Sequence, residues 1–188
     1  QFDLADRVAD SAPIVMRGGY LEYQGRAQTA STETLGAVAL AGGVNAIQPL
    51  AGGTGVNSAD LVLSSIAPAA GSGAVLRVQN ANGQPGNNAR LISTSAPTLV
   101  NGIVPWAFRD RDLVSYVPGL GFGALGATGF PAYGSVLYSG TNPTINVSNG
   151  AASTILTANT VINAFYSSYA GSSPTLNLNG FSLTVGSG

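Results

Sequence analysis

The sequence lacks several side chains on which much of protein chemistry depends. The 188-residue chain contains no cysteine and no histidine, and its seven cationic side chains are all arginine. These absences exclude disulfides, thiolate and imidazole catalysis, zinc sites built from cysteine and histidine, and Schiff-base chemistry at lysine. We therefore expect a chain that is not an enzyme, with no catalytic residues, no cofactor and no bound metal.

Charged residues are scarce as well. Only 8% of the residues are charged and the net charge is -1, against about 25% charged residues in an ordinary globular domain. Beyond Asp112 no side chain other than tyrosine ionises. Nucleic acid is not expected as a partner, because phosphate binding needs clustered cations. A surface with so little charge is poorly protected against self-association, which indicates a homo-oligomer or filament.

Long apolar runs are missing as well. The most apolar stretch, Leu113 to Tyr138, is interrupted by Pro118, Pro131 and several glycines, and a membrane-spanning helix needs about 18 or more consecutive apolar residues. We expect no membrane-spanning segment. The start at Gln1 resembles no signal peptide, so we expect a mature form or part of a longer chain. The absence of cysteine fits a bacterial surface protein as well as a cytosolic one, and the charge-poor surface rich in small polar residues favours an extracellular or bacterial cell-surface location.

Short apolar alternations separated by turn residues dominate what is present. Examples are Leu61-Val-Leu63 and Ile145-Asn-Val147, and turn pairs such as Gly52-Gly53 and Asn149-Gly150 lie between such segments. Alternation with a period of two, bounded by Gly-Gly and Asn-Gly, is typical of β-strands and tight turns. The sequence therefore predicts an all-β protein with short strands, of the sandwich, barrel or solenoid type.

An internal repeat favours the solenoid. The segments Ile14–Tyr23 and Leu176–Val185 share the spacing apolar, apolar, glycine, apolar, apolar, and they follow Pro13 and Pro174. In each copy the glycine permits a bend between two short strands. Coils of about 20 residues would give roughly eight coils over this length. We predict a parallel β-solenoid, with a β-sandwich as the alternative.

The predicted organisation is a single solenoid segment over residues 1–188. Residues 1–12 are expected to form an N-terminal arm or short helix, because Asp3, Asp6 and Asp10 have helical spacing. Residues 105–135 depart from coil spacing and are expected to form a loop or insertion. Open strand edges at the ends of a solenoid need a cap or a neighbour.

Three segments resemble the autotransporter-associated β-strand repeat family of bacterial surface proteins. The segments are residues 7–23, 32–40 and 175–188. The first and third contain the apolar pairs around glycine described above, and the second contains an apolar alternation after a polar turn. The resemblance implies a right-handed parallel β-helix within long secreted or exported chains of adhesive or structural role. No catalytic residue carries over, because the family pattern consists of packing positions.

The sequence Arg109-Asp110-Arg111-Asp112 is the one dense cluster of charge. On an extended strand Asp110 and Asp112 would share a face, and two carboxylates roughly 5–9 Å apart can cleave glycosides. The adjacent arginines would keep both acids ionised, which favours a solvated, ion-paired loop. The alternative is a carbohydrate contact, which the neighbouring aromatic residues would complete: Trp106, Phe108 and Tyr116.

A second group of aromatic side chains lies in the uncharged part of the sequence. These residues are equally well explained as core or as interface anchors, where tyrosine is enriched. They are Tyr133, Tyr138, Phe165, Tyr166 and Tyr169.

Two further motifs are expected to be uninformative. Gly121-Phe-Gly123-Ala-Leu-Gly126 matches the dinucleotide pattern G-x-G-x-x-G, but no acidic residue follows to bind a ribose. We expect a glycine-rich loop there. Asn146-Val-Ser148 is a formal glycosylation sequon, which we expect to be unmodified.

Together these features predict a non-catalytic extracellular structural or adhesive protein of a bacterial surface, assembling head to tail into a homopolymeric fibre or sheath. Surface glycans are candidate partners. The alternatives are a carbohydrate-binding or carbohydrate-cleaving β-helix that uses Asp110 and Asp112, and a viral fibre or capsid module built on a β-sandwich.

Overall fold

The computed structural model describes residues 8–54, 58–81, 89–135, 140–167, 169–171 and 173–187. Every regular element in these ranges is a β-strand. The strands, numbered along the chain, are β1 (Ile14–Gln24), β2 (Ala30–Leu50), β3 (Ser58–Pro68), β4 (Val75–Val78), β5 (Ala89–Ser93), β6 (Ala107–Arg109), β7 (Asp112–Val117), β8 (Gly121–Ala124), β9 (Gly134–Ser135), β10 (Gly140–Asn149), β11 (Ser153–Ile155), β12 (Thr160–Ser167), β13 (Thr175–Asn177) and β14 (Leu183–Val185).

Parallel stacking of these strands confirms the predicted solenoid. β2 pairs in parallel with β1, β3 and β4, and β10 pairs in parallel with β12, which in turn pairs with β14. The strands make about six turns of a β-solenoid. This is fewer than the roughly eight coils predicted from the sequence. The sandwich alternative does not describe this parallel pairing. The right-handed winding implied by the family resemblance remains a prediction.

The chain forms two compact units, Gln1–Phe130 and Pro131–Gly188. In the first unit Ile14 stacks on Val38 and Leu61 stacks on Leu91, whereas in the second unit Gly140 stacks on Thr160. Stacked partners are therefore further apart along the chain in the first unit than in the second. The coil length expected from the sequence fits the second unit, and the longer coils of the first unit account for the smaller number of turns.

Alternating side chains fill the interior of the first unit. Leu40, Ile47, Leu61, Leu63 and Leu76 are almost completely buried, and they belong to one continuous apolar cluster. Side chains of a strand point alternately to its two faces. The period-two pattern of the sequence therefore places every second, apolar side chain of these strands in the interior. Each buried leucine contributes about 2 kcal/mol through removal of its surface from water.

The internal repeat seen in the sequence has a common backbone feature. Gly18 and Gly180 both have a φ of 82°, in the left-handed region that favours glycine. In the first copy the strand β1 continues through the bend, and in the second copy the bend separates β13 from β14. The prediction that glycine marks a bend between two strand segments holds at both positions.

Residues 105–135 contain an antiparallel meander. β6, which pairs in parallel with β4, turns back into β7, and β7 turns back into β8. Val114 and Phe122 are fully buried and Tyr116 is nearly so, all within the cluster that fills the first unit. We call β6–β8 the cap, because its reversed strands end the parallel stacking over the apolar interior.

Residues 1–7 lie outside the described part, and so does most of the segment 1–12 for which an arm or short helix is predicted. Within it, the backbone N–H of Ala12 donates to the carbonyl of Ala9. The acidic residues Asp3 and Asp6 also lie outside the described residues.

Candidate functional site

The charge cluster of the sequence forms the turn between β6 and β7. Arg109 pairs with Asp112 across the two antiparallel strands, which leaves Asp110 and Arg111 as the two turn residues. Asp110 has a φ of 55°, a conformation that aspartate tolerates in tight turns. Asp110 and Asp112 therefore do not share the face of one extended strand, and this removes the geometric basis on which they were paired as glycosidase carboxylates.

Both carboxylates are engaged by neighbouring groups. Oδ1 of Asp110 lies 3.4 Å from Nη2 of Arg77 on β4, in an exposed ion pair. Oδ1 of Asp112 accepts a hydrogen bond of 2.8 Å from the backbone N–H of Leu113. This agrees with the expected solvated, ion-paired loop more closely than with an acid–base pair in a cleft.

The aromatic residues proposed as a carbohydrate platform pack into the cap. The Tyr116 hydroxyl donates to the carbonyl of Ser93 and accepts from its backbone N–H at 3.2 Å. The rings of Tyr116 and Trp106 both meet Phe122 edge-on, at centroid distances of 5.0 and 6.3 Å. Phe108, half-buried, pairs with Arg77 of β4. Tyr116 thus joins the cap to Ser93 of β5, and the edge-on contacts of Tyr116 and Trp106 with Phe122 are packing contacts within the cap.

Sequence reasoning missed a second ion pair, between Asp60 on β3 and Arg90 on β5. Nε of Arg90 donates to Oδ1 of Asp60 at 2.7 Å, Nη2 binds Oδ2, and Nη1 donates to the carbonyl of Gly119 at 3.0 Å. The side chains are 14% and 22% exposed. The hydrogen bond to Asp60 raises the pKa of Arg90, although partial burial acts in the opposite direction. The pair joins two coils to the cap.

The second group of aromatic residues divides between core and surface. Phe165 packs against the apolar cluster of the second unit, formed by Val147, Leu156 and Ile162. Tyr133 and Tyr166 stack on each other with a centroid distance of 5.9 Å. Tyr169 is half-buried. Tyr138 lies outside the described residues.

Buried amides connect the coils of the second unit. Nδ2 of Asn163 donates to Oδ1 of Asn146 at 2.6 Å, and Oγ of Ser187 donates to Oδ1 of Asn163 at 2.5 Å. Asn146 is 7% exposed, so the asparagine of the sequon is an internal hydrogen-bonding residue. A glycan could not be accommodated at this position in the folded chain.

The glycines of the motif Gly121–Gly126 allow close packing in the first unit. Gly121 has a φ of 86°, and a Cβ atom there would overlap the carbonyl oxygen of Leu91 on β5. A Cβ atom on Gly123 would overlap the ring of Phe130. β8 runs through this segment, and no helix follows it among the described residues. Gly121 therefore lets the cap approach β5 closely. The arrangement does not support a dinucleotide-binding function.

The strand β1 presents a different kind of surface, an open edge. Among the described residues its partner is β2 alone, and it exposes 59% of Val15 and 53% of Tyr20. Beside this edge is a cleft of about 150 Å³ whose walls include core residues Leu35 and Leu61. Among the described residues, β1 therefore ends the parallel stacking as an edge strand with a shallow cleft beside it, whereas β6–β8 form the cap.

No further site emerges from the described part of the chain. Within it, no three histidine, cysteine, aspartate or glutamate side chains are placed to hold a metal ion together. None of its elements is a helix of the length and apolarity needed to cross a membrane. No protein-family model, curated protein or solved structure matches this chain.

Proposed function

We propose that this chain is a non-catalytic structural or adhesive protein of a bacterial surface, secreted to the outside and associating with copies of itself. The observation that carries the proposal is the contrast between the cap at β6–β8 and the edge strand β1, which pairs with β2 alone among the described residues. The outer edge of such a strand offers backbone groups for pairing, which natural proteins normally protect or use.

The residues best suited to chemistry support a structural role. Asp60 and Arg90 bind each other across two coils, Asp110 binds Arg77, and the Tyr116 hydroxyl is held by Ser93. Each of these groups stabilises the contact between coils or between coil and cap. A catalytic carboxylate faces its substrate in a cleft, whereas Asp60 and Asp110 are each paired with an arginine.

The low charge of the second unit supports self-association. From Leu113 onwards no side chain other than tyrosine ionises, and Ile155, Leu178 and Val185 are exposed apolar residues of the described part. Few charges and exposed apolar side chains both favour contacts between copies. A homopolymeric fibre or sheath is the form of assembly we propose. The resemblance to autotransporter-associated repeats supports the cell-surface setting.

Electron microscopy of the purified chain at increasing concentration tests the proposal. We expect assemblies of regular width that grow in number with concentration, because association follows mass action. The same material, applied to glycan arrays and to bacterial cells, tests the adhesive role without requiring turnover. Dispersed single chains at every concentration, with no binding to glycans or cells, would contradict the proposal.

A further inference from the structure

The open edge of β1 has an internal symmetry that points to its partner. Before the bend at Gly18 and Gly19, Met16 is buried while Val15 and Arg17 are exposed. After the bend the odd-numbered residues point inward: the side chains of Leu21 and Tyr23 are half-buried, and that of Glu22 is exposed. The bend thus shifts the inward positions from even to odd residue numbers.

This shift makes β1 compatible with antiparallel pairing to itself. If a twofold axis passes between Gly19 and Tyr20, Met16 of one copy faces Tyr23 of the other, and Gly18 faces Leu21. Inward side chains then meet inward side chains along both arms of the bend. An uninterrupted strand with the same centre would place inward residues opposite outward ones, because side chains alternate with a period of two.

The outward positions are complementary in charge in the same register. Arg17 of one copy faces Glu22 of the other, and the symmetry produces this pair twice. Opposite charges directly across an antiparallel pair stabilise it, and like charges destabilise it. Glu22 also accepts a hydrogen bond of 3.0 Å from the Tyr20 hydroxyl, which holds its carboxylate on the outward face.

We infer that β1 binds β1 of a second copy of this chain in an antiparallel, isologous contact. The contact would continue the sheet that contains β1–β8 from one copy into the other and cover the cleft beside Leu35. β14 is a poorer partner for β1, because β14 has three residues and β1 has eleven. The inference rests on the proposed self-association and specifies its interface, replacing head-to-tail stacking at this edge.

An isologous contact closes on itself and yields a dimer. A fibre then requires a second interface elsewhere on the chain. Dimerisation and fibre formation are therefore separable, and the two proposals can fail independently.

Charge-reversal variants of the full chain test the inference by sedimentation velocity. Arg17→Glu alone and Glu22→Arg alone each place like charges opposite each other twice, and each should weaken dimerisation at least about tenfold. An equimolar mixture of the two variants restores both opposite-charge pairs between unlike chains, so dimers should reappear in the mixture. Arg111→Glu in the exposed turn of the cap makes the same charge change away from β1 and should leave dimerisation unchanged.

Circular dichroism of each variant establishes that it is folded before its sedimentation is compared. Single variants that dimerise as tightly as the unmodified chain would overturn the inference, as would a mixture that stays monomeric. An unmodified chain that is monomeric at all concentrations would also overturn the inference. Filaments of the unmodified chain together with undiminished dimerisation of Arg17→Glu would refute this interface and leave the proposed function standing, whereas dimers without filaments or adhesion would do the reverse.

Discussion

Single buried polar residues hold the bends of the solenoid. Asn45 is completely buried in β2, just after the bend at Gly42 and Gly43, and its Oδ1 accepts a hydrogen bond from the backbone N–H of Gly18 at 2.9 Å. Its Nδ2 lies 3.1 Å from the carbonyl oxygen of Gly42 and 3.4 Å from that of Val75. One side chain thus satisfies backbone groups of three successive coils, and such groups are costly to leave unpaired.

We predict that Asn45→Ala lowers the free energy of unfolding of the first unit by about 2–4 kcal/mol, because several buried backbone groups lose their partner. Urea titration followed by the fluorescence of Trp106, the single tryptophan, measures this unit specifically. The exposed Asn142→Ala in the second unit is the control and should leave the Trp106 transition in place. An unchanged midpoint for Asn45→Ala would show that the amide does not hold the bends.

At the scale of elements, the contact between the cap and the solenoid depends on glycine. Gly121 begins β8, where the cap touches Leu91 of β5. A side chain there would meet backbone, which cannot move aside as a flexible side chain can. The contact between coil and cap is therefore sensitive to a single added methyl group.

Gly121→Ala should destabilise the first unit by about 2–4 kcal/mol, because overlap with the Leu91 carbonyl adds to the cost of a positive φ. Gly119→Ala is a matched control: Gly119 has a φ of 83°, and its Cβ position has no neighbour within 4 Å. That variant should show only the backbone cost of about 1 kcal/mol. Equal losses in thermal unfolding of both variants would argue against close packing of the cap.

The sequence was sufficient to predict the strands of the solenoid but not the cap. Alternation such as that of Leu61 and Leu63 is local, so it is visible in a single sequence, and the glycine bends are local as well. The cap turn at Asp110 and Arg111 carries no Asn-Gly or Gly-Gly signal, so the sequence indicates only a loop there. The Asp60–Arg90 pair could not be predicted, because its detection requires the length of the coil that separates β3 from β5.

The candidate site was predicted less well than the fold for the same reason. Trp106 and Phe108 alternate in the sequence and Tyr116 follows nearby, which suggested a platform. The positions of Trp106 and Tyr116 depend on contacts with Phe122 and, for Tyr116, on Ser93 of another coil, and the sequence pattern does not indicate these contacts. The open edge of β1 is a property of the assembled sheet, and no residue pattern alone indicates which of the described strands has only one partner.

At the scale of the whole molecule, the chain comprises two compact units with different coil lengths and different charge. The prediction of one segment over residues 1–188 did not anticipate this division. The charges of the described residues all lie in the first unit, which therefore contains the groups able to give a contact its direction and register. The second unit offers mainly apolar and hydroxyl groups for association.

Hydrogen exchange measured at low and high protein concentration tests the central claim, that this solenoid assembles through the open edge of β1. The account predicts that backbone amides of residues 14–24 become more protected as concentration rises, because pairing removes them from solvent. Amides of the cap, residues 107–124, should keep the same protection throughout. Assembly with unchanged exchange at residues 14–24 would contradict the account.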